Sequence, residues 1–254
     1  MRHAEITPPP VSSEDVARLG TVLSVWAHPD DEAYLAGALL ASVTDSGQRA
    51  VCVTATRGEA ADPGAGADER ADLAARRTGE LEAALGVLGV TEHHWLDLPD
   101  GGCADVDAER PVGRVLELLE EVRPDTVVTF GPDGFTGHPD HRAVSRWVDL
   151  ALARWQRGTT LLHPVVTAEV LGLDRALDEE YGVYELGRPR VVAPDEVRVH
   201  LSLADDLLDR KVAALACQES QTAGLISGVG RDRFRNWVSV EMLAAPARAR
   251  AESG

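Results

Sequence analysis

Residues 21–32 read TVLSVWAHPDDE. The first seven have the β-branched and apolar character of a buried strand. The strand runs straight into His28, Pro29, Asp30 and Asp31. A helix-like stretch, 32–46, follows and stops at Gly47. The next apolar run, AVCVTAT at 50–56, is a second buried strand. Strand, helix and strand make a βαβ unit, whose crossover is right-handed and whose strands lie parallel. The same design returns later. TVVTF at 126–130 is a buried strand, and residues 130–141, FGPDGFTGHPDH, carry the chain into a second His-Pro-Asp unit and a helix.

Between these two stretches the pattern keeps alternating. RGEAADPGAGADER, 57–70, is a loop by its Gly, Ala, Asp and Pro content. A long amphipathic helix is expected over 69–88, closed by Gly89, then a short strand over 91–96 and the loop DLPDGGCAD. A helix over 109–122 ends before Pro124, and another runs over 141–157. Repeated strand-helix units predict an α/β fold: a Rossmann-like, mostly parallel sheet with helices on both faces, in one domain. Beyond 157 the pattern predicts a strand at 164–170, a loop or short insert at 174–190, a strand at 196–201 and a helix at 204–216. Residues 1–19, polar and proline-rich, read as a flexible arm with a short helix at 13–18. The domain is expected over 20–245, with a frayed tail at 246–254.

The chain has 254 residues and a formal net charge of −17. So acidic a surface repels phosphate backbones and argues against nucleic acid and anionic membranes as partners. No apolar run is long enough to span a bilayer, and the first residues lack the apolar core of a signal peptide, so a cytoplasmic protein is expected. Its three cysteines, widely spaced, suggest neither a disulfide framework nor a cysteine zinc site. Lys211 is the only lysine. Homo-oligomerisation is compatible with all of this.

The chemistry lies in the two His-Pro-Asp units. With a helix beginning at Pro29, His28 and Asp31 are three apart and can point to one side. An imidazole and a carboxylate are good ligands for a divalent ion. Asp30 points elsewhere and stays free. His138 and His141 are likewise three apart, and either can complete a two-His, one-carboxylate site while the other does acid or electrostatic work. Such a site lowers the pKa of a bound water, a carboxylate nearby can take its proton, and the set of parts suits amide hydrolysis. A lone His-Pro-Asp is commonly a turn or a helix cap. Two copies, each after a buried strand at the ligand-binding edge of a parallel sheet, argue for a metal site. His93, His94, His163 and His200 have no such setting and read as packing or surface residues.

AHPDDE followed by GHPDH resembles the LmbE-like, or PIG-L, family of zinc-dependent de-N-acetylases. RTGELEAALGVLGV at 77–90 and the approach VRPDTVVTFGPDG carry the resemblance over most of 21–156. It implies His28, Asp31 and His141 as zinc ligands and Asp30 as the base that activates water. It implies that His138 stabilises the oxyanion or protonates the leaving amine, and that Asp140 tunes His138 through a hydrogen bond. Arg77 and Asp100 match positions that hold sugar or cyclitol hydroxyls. A two-His, one-carboxylate face suits iron(II) as well as zinc.

The chain departs from the family pattern in three places. Phe135 and Thr136 stand where some relatives carry a tyrosine able to polarise the acyl carbonyl. KVAALACQESQ has Gln218 where the family segment has histidine, leaving Ser220 and Gln221 as candidate site neighbours. The C-terminal third, where relatives build their substrate pockets, offers little else to align. The reading is therefore a zinc hydrolase that removes an acyl group, acetyl first, from an N-acetylglucosamine-type small-molecule sugar conjugate. A family amidase acting on a mycothiol-type conjugate is the alternative. A non-catalytic nucleotide or sugar binder is disfavoured by the intact ligand set and the missing glycine-rich fingerprint after the first strand. A metallophosphoesterase would need more carboxylates for its second metal.

Overall fold

The computed structural model describes residues 16–247. Five strands, β1 (Val22–Trp26), β2 (Ala50–Thr56), β3 (Glu92–Leu98), β4 (Thr126–Thr129) and β5 (Thr160–Pro164), run parallel. They alternate with helices α1 (Asp31–Asp45), α2 (Ala67–Leu88), α3 (Glu109–Val122) and α4 (Pro139–Arg154). α5 (Ala168–Tyr181), β6 (Val197–Ser202), α6 (Asp205–Cys217), α7 (Glu219–Val229), α8 (Arg231–Trp237) and β7 (Val240–Ala244) complete the chain. The strand order is β3-β2-β1-β4-β5-β7-β6, and β7 lies antiparallel to both its neighbours.

Every residue of β1, β2 and β4 is buried. That explains their continuous apolar or β-branched runs, since a strand covered on both faces has no polar alternation. α1 and α2 pack against α6 on one face; α3 packs against α4 on the other. Trp26 at the end of β1 meets Phe130 just past β4 edge to face, ring centroids 5.1 Å apart. This contact closes the core directly beneath the two motifs.

The order fixes where a site can form. From β1 the chain steps outward to β2 and β3, then returns to the other side of β1 for β4 and β5. The connections after β1 and β4 therefore diverge, leaving a crevice at the carboxyl ends of these two strands. His28 follows β1 and His138 follows β4, so both motifs open on that crevice.

The last third departs from expectation. The strand expected at 164–170 lies earlier, as β5. Val166 makes only an isolated bridge to Val191, and Thr167 then caps α5 by accepting from the Val170 N–H. That helix occupies much of the stretch expected as loop. β7 was not foreseen, nor were α7 and α8. The first half of the expected helix at 13–18 lies outside the described residues; Val16 is helical and buried in the main core. The expected frayed tail lies almost wholly outside them too.

A buried ion pair joins this last third to α1. Lys211 Nζ lies 2.8 Å from Glu241 Oε1, and both side chains are almost fully buried. The ammonium also donates to the Tyr34 carbonyl at 2.8 Å. The carboxylate accepts from the backbone N–H groups of Ala38 and Leu39 at 2.8 and 2.9 Å. A charge pair in the interior is tolerable only when its remaining donors and acceptors are met in this way. No described helix is long and apolar enough to cross a membrane.

Candidate metal and amide-hydrolysis site

Asp30 occupies the N-cap place of α1, where its carbonyl accepts from Ala33 and Tyr34, yet its carboxylate makes no capping bond. Its φ of 108° is rare for a residue with a side chain, and such strain clusters at functional sites. The twist leaves the carboxylate free and turns Asp31 back, so that Asp31 Oδ2 accepts from the His28 N–H at 2.8 Å. The Asp30 N–H donates to Glu32 Oε2 at 3.0 Å.

Across the crevice, Pro139 opens α4 and His138 caps it, its Nδ1 accepting from the Asp140 N–H at 3.2 Å. His141, one turn in, donates from Nδ1 to the Gly134 carbonyl at 2.9 Å and stacks on Phe130 at 4.1 Å. Its Nε2 lone pair is therefore free. His28 is oriented the opposite way. Its Nε2 faces Asp100 Oδ1 at 3.1 Å and Asp140 Oδ2 at 3.4 Å, which leaves Nδ1 as the free lone pair.

The free atoms converge. His28 Nδ1 and His141 Nε2 are 3.2 Å apart. Asp31 places Oδ2 3.6 Å from the first and Oδ1 3.4 Å from the second. Ligands about 2.0–2.1 Å from a tetrahedral ion stand roughly 3.3–3.4 Å from one another. The three donors thus have the spacing of one face of a divalent-metal site, with each imidazole held from behind by an acceptor, as metal-binding histidines are. The His138 ring joins the same group: nitrogens of His28, His138 and His141 all lie within 4.8 Å of one another. Because its Nδ1 accepts a backbone N–H, neutral His138 carries its proton on Nε2 and serves as a donor, not as a ligand.

Electrostatics separates the two adjacent aspartates. Burial pushes Asp30 up to about 7; Asp31 adds to this, while Arg77 and His28 oppose it. Asp31, despite its burial, is drawn down to about 2 by His141 and His28. One is therefore poised to exchange a proton near neutrality and the other is a permanent anion. Burial lowers His138, with His28 adding to the effect.

Of the supporting residues, Asp140 does different work from that expected. The Asp140 carboxylate makes no bond to His138; it accepts from the N–H groups of Gly101 and Cys103 and faces His28. Only its backbone reaches His138. Asp100 accepts from the Ala60 N–H and holds His28. Arg77 is buried, donates to the carbonyls of Gly58 and Pro29, and lies 3.6 Å from Asp30 Oδ2. A side chain at Gly58 would occupy the space of that guanidinium. Thr136 Oγ1 lies 3.4 Å from His141 Nδ1. Ser220 is bound to Glu80, and Gln221 to Ser220, away from the metal face. Gln218 does reach the site's edge, donating to Glu32 Oε1 at 2.6 Å. The sequence signal for that contact was the histidine it replaces.

A cavity of about 290 Å³ opens beside Asp31 and His141. Tyr34, Leu35, Val165, Val170, Leu225 and Trp237 are among its walls; Asp30, Arg77 and Asp100 are not.

Residues 23–152 match the family described as PIG-L, GlcNAc-PI de-N-acetylase, and carry every residue of the metal face. The chain belongs to this family. A 1D-myo-inositol 2-acetamido-2-deoxy-alpha-D-glucopyranoside deacetylase of Kineococcus radiotolerans is 32% identical to the PIG-L chain, over 85% of it and 73% of the relative. Among solved structures, the antimicrobial reagent A40926 pseudoaglycone deacetylase superposes with a TM-score of 0.65 at 22% identity, covering 92% of this chain and 100% of the other. The 4-carboxy-2-hydroxymuconate hydratase of Pseudomonas putida KT2440 superposes almost as well, with a TM-score of 0.64 at 18% identity, over 92% and 99%. A hydratase on the same PIG-L-like frame means the fold alone does not select the reaction; the residues of the site must.

Proposed function

We propose that the protein is a zinc-dependent hydrolase that removes the N-acetyl group from an N-acetylglucosamine-type sugar conjugate. The observation that carries this reading is the convergence of His28 Nδ1, His141 Nε2 and Asp31 at 3.2–3.6 Å beside a carboxylate, Asp30, whose pKa is raised to about 7. The relatives' name, a deacetylase of an acetamido-glucopyranoside, supports the sugar amide as substrate. Three free cysteines agree with a reducing compartment such as the cytoplasm.

His28, Asp31 and His141 would hold the ion, which when bound would supply Lewis acidity at the amide carbonyl and a water of lowered pKa. Asp30 takes the proton of the attacking water, and burial near pH 7 gives it enough basicity to do so. His138 donates from Nε2 to the oxygen that gains charge as the carbonyl becomes tetrahedral. It stays neutral while it does this, because a second proton on Nδ1 would break its bond from the Asp140 N–H. Asp30 then passes its proton to the sugar nitrogen as the C–N bond breaks, and acetate and a free amine leave. Arg77 holds the Asp30 loop, and Arg77 and Asp100 border the side of the metal face where sugar hydroxyls bind.

The test is acetate release from N-acetylglucosamine conjugates, with chelation and zinc add-back, for wild type and Asp30→Ala. The reading expects metal-dependent acetate release, and an Asp30→Ala protein that keeps its metal but loses most turnover. Full activity in that variant would overturn the role of the base.

A further inference from the structure

The cavity beside the metal face is larger and greasier than an acetyl group requires. One water needs roughly 10–15 Å³ by the same measure of free space. An acetyl methyl is little larger than a water, yet the cavity offers about 290 Å³. Its walls are mostly apolar, supplied by α1, α5, α7 and the segments around β5 and β7. Glu241, which also borders it, is neutralised by Lys211.

Its position identifies which part of a substrate it faces. An amide bound at the metal face has a sugar nitrogen on one side and an acyl carbon on the other. Asp30, Arg77 and Asp100 form one flank and do not touch the cavity. Asp31 and His141 border it directly. A polyhydroxylated sugar or cyclitol matches the charged flank and would leave its hydroxyls unpaired in the other. The one portion of such a substrate that suits an apolar chamber is the acyl group.

We propose that this cavity is an acyl-chain subsite, and that the protein hydrolyses sugar amides bearing linear saturated acyl groups longer than acetyl, with the acetyl amide as a poorer substrate. This rests on the amide-hydrolase reading of the metal face. Water still attacks the carbonyl carbon, the C–N bond still breaks, and the product acid is simply longer. Each methylene moved from water into the cavity raises kcat/KM about fourfold, if its burial is felt fully in the transition state.

The experiment uses the zinc-loaded protein and detects the free sugar amine, which is the same product for every acyl group. One series varies the acyl group from acetyl through butyryl and hexanoyl to octanoyl on a methyl glucosaminide. A second keeps acetyl and exchanges the methyl aglycone for octyl. The expected result is a rise in kcat/KM of at least tenfold from acetyl to hexanoyl, and no comparable rise with the octyl aglycone. Val170→Trp and Leu225→Trp, partly exposed helix positions outside the catalytic group, fill the chamber from two sides. Each should abolish the preference for hexanoyl by lowering kcat/KM for hexanoyl at least tenfold, with far-UV circular dichroism and zinc content matching wild type to show that the variant is folded. A hexanoyl preference that survives both substitutions overturns the inference. Acetyl turnover that is equal to or better than hexanoyl turnover overturns the inference and leaves the deacetylase reading intact. A gain with the octyl aglycone alone overturns it too, assigning the chamber to the aglycone. Amine release from no substrate in either series overturns the amide-hydrolase reading and this inference together.

Discussion

Glu32 Oε1 receives the Gln218 amide at 2.6 Å, and its other oxygen receives the Asp30 N–H at 3.0 Å. The residue after Asp31 is thus clamped between the strained turn and the C-terminal helices, with no exposed surface. Burial pushes its carboxyl up to about 8, and Asp30 adds to the shift.

A carboxyl whose folded pKa lies above its unfolded value keeps its proton longer in the folded state. Folding stability therefore falls as pH climbs from about 4.5 to about 8. Glu32→Gln removes this dependence and retains an oxygen for the Asp30 N–H. Urea unfolding midpoints at pH 5 and pH 8 should show the variant gaining on wild type as pH rises. A variant that keeps a constant offset from wild type, or loses ground to it as pH rises, would overturn the assignment.

The rate should depend on pH through Asp30, which works only when deprotonated, so kcat/KM rises with pH along an acid limb. A bound ion's positive charge would draw that limb below the value of about 7 set by burial. Arg77 favours the charged carboxylate. Arg77→Met should therefore move the limb to higher pH with metal content unchanged. A pH-rate profile that does not move would show that Arg77 acts only by holding the loops.

Metal retention should follow the two imidazole tautomers. His141→Ala removes a ligand and should leave little bound metal after gel filtration. Asp100→Asn leaves one neutral oxygen where the carboxylate offers two, to His28 Nε2 and to the Ala60 N–H, and should weaken metal affinity about 10- to 100-fold without removing a ligand. Competition with a chromophoric chelator measures both. Equal affinity in Asp100→Asn and wild type would mean that Asp140 alone sets the His28 tautomer.

Lys211→Met should cost about 3–5 kcal/mol, because it strands the buried Glu241 carboxylate. Adding Glu241→Gln should recover part of this. Chemical denaturation of both variants and the single Glu241→Gln completes a double-mutant cycle. A coupling near zero would mean that the Ala38 and Leu39 N–H groups satisfy Glu241 unaided.

The first eight elements and the pairing of the two His-Pro-Asp units were legible for one reason: their signals are local. β1, β2 and β4 are buried on both faces and so read as unbroken apolar runs, and Gly89 and Pro124 mark helix ends. His28 and Asp31 sit on one turn, as do His138 and His141, so spacing alone groups them. What escaped reading depends on contacts distant in sequence. The β-branched run at 164–170 looks like a strand, but Val165 and Val166 line a cavity and Thr167 starts a helix. β7 carries Glu241 as its second residue, which breaks an apolar pattern unless one knows that Lys211, the only lysine, lies against it. Asp140 was assigned to its sequence neighbour His138, whereas its carboxylate reaches back to the loop after β3.

β7 enters the sheet between two strands made before it, β5 and β6. A nascent chain that has reached residue 157 already carries His28, Asp31 and His141, but not the walls of the chamber that lie from Pro164 to Met242. Those walls are complete only with β7, which supplies Val240, Glu241 and Met242. The order of synthesis thus separates the making of a reactive centre from the making of its selectivity, and substitutions in the late walls can change what is admitted without disturbing the atoms that react.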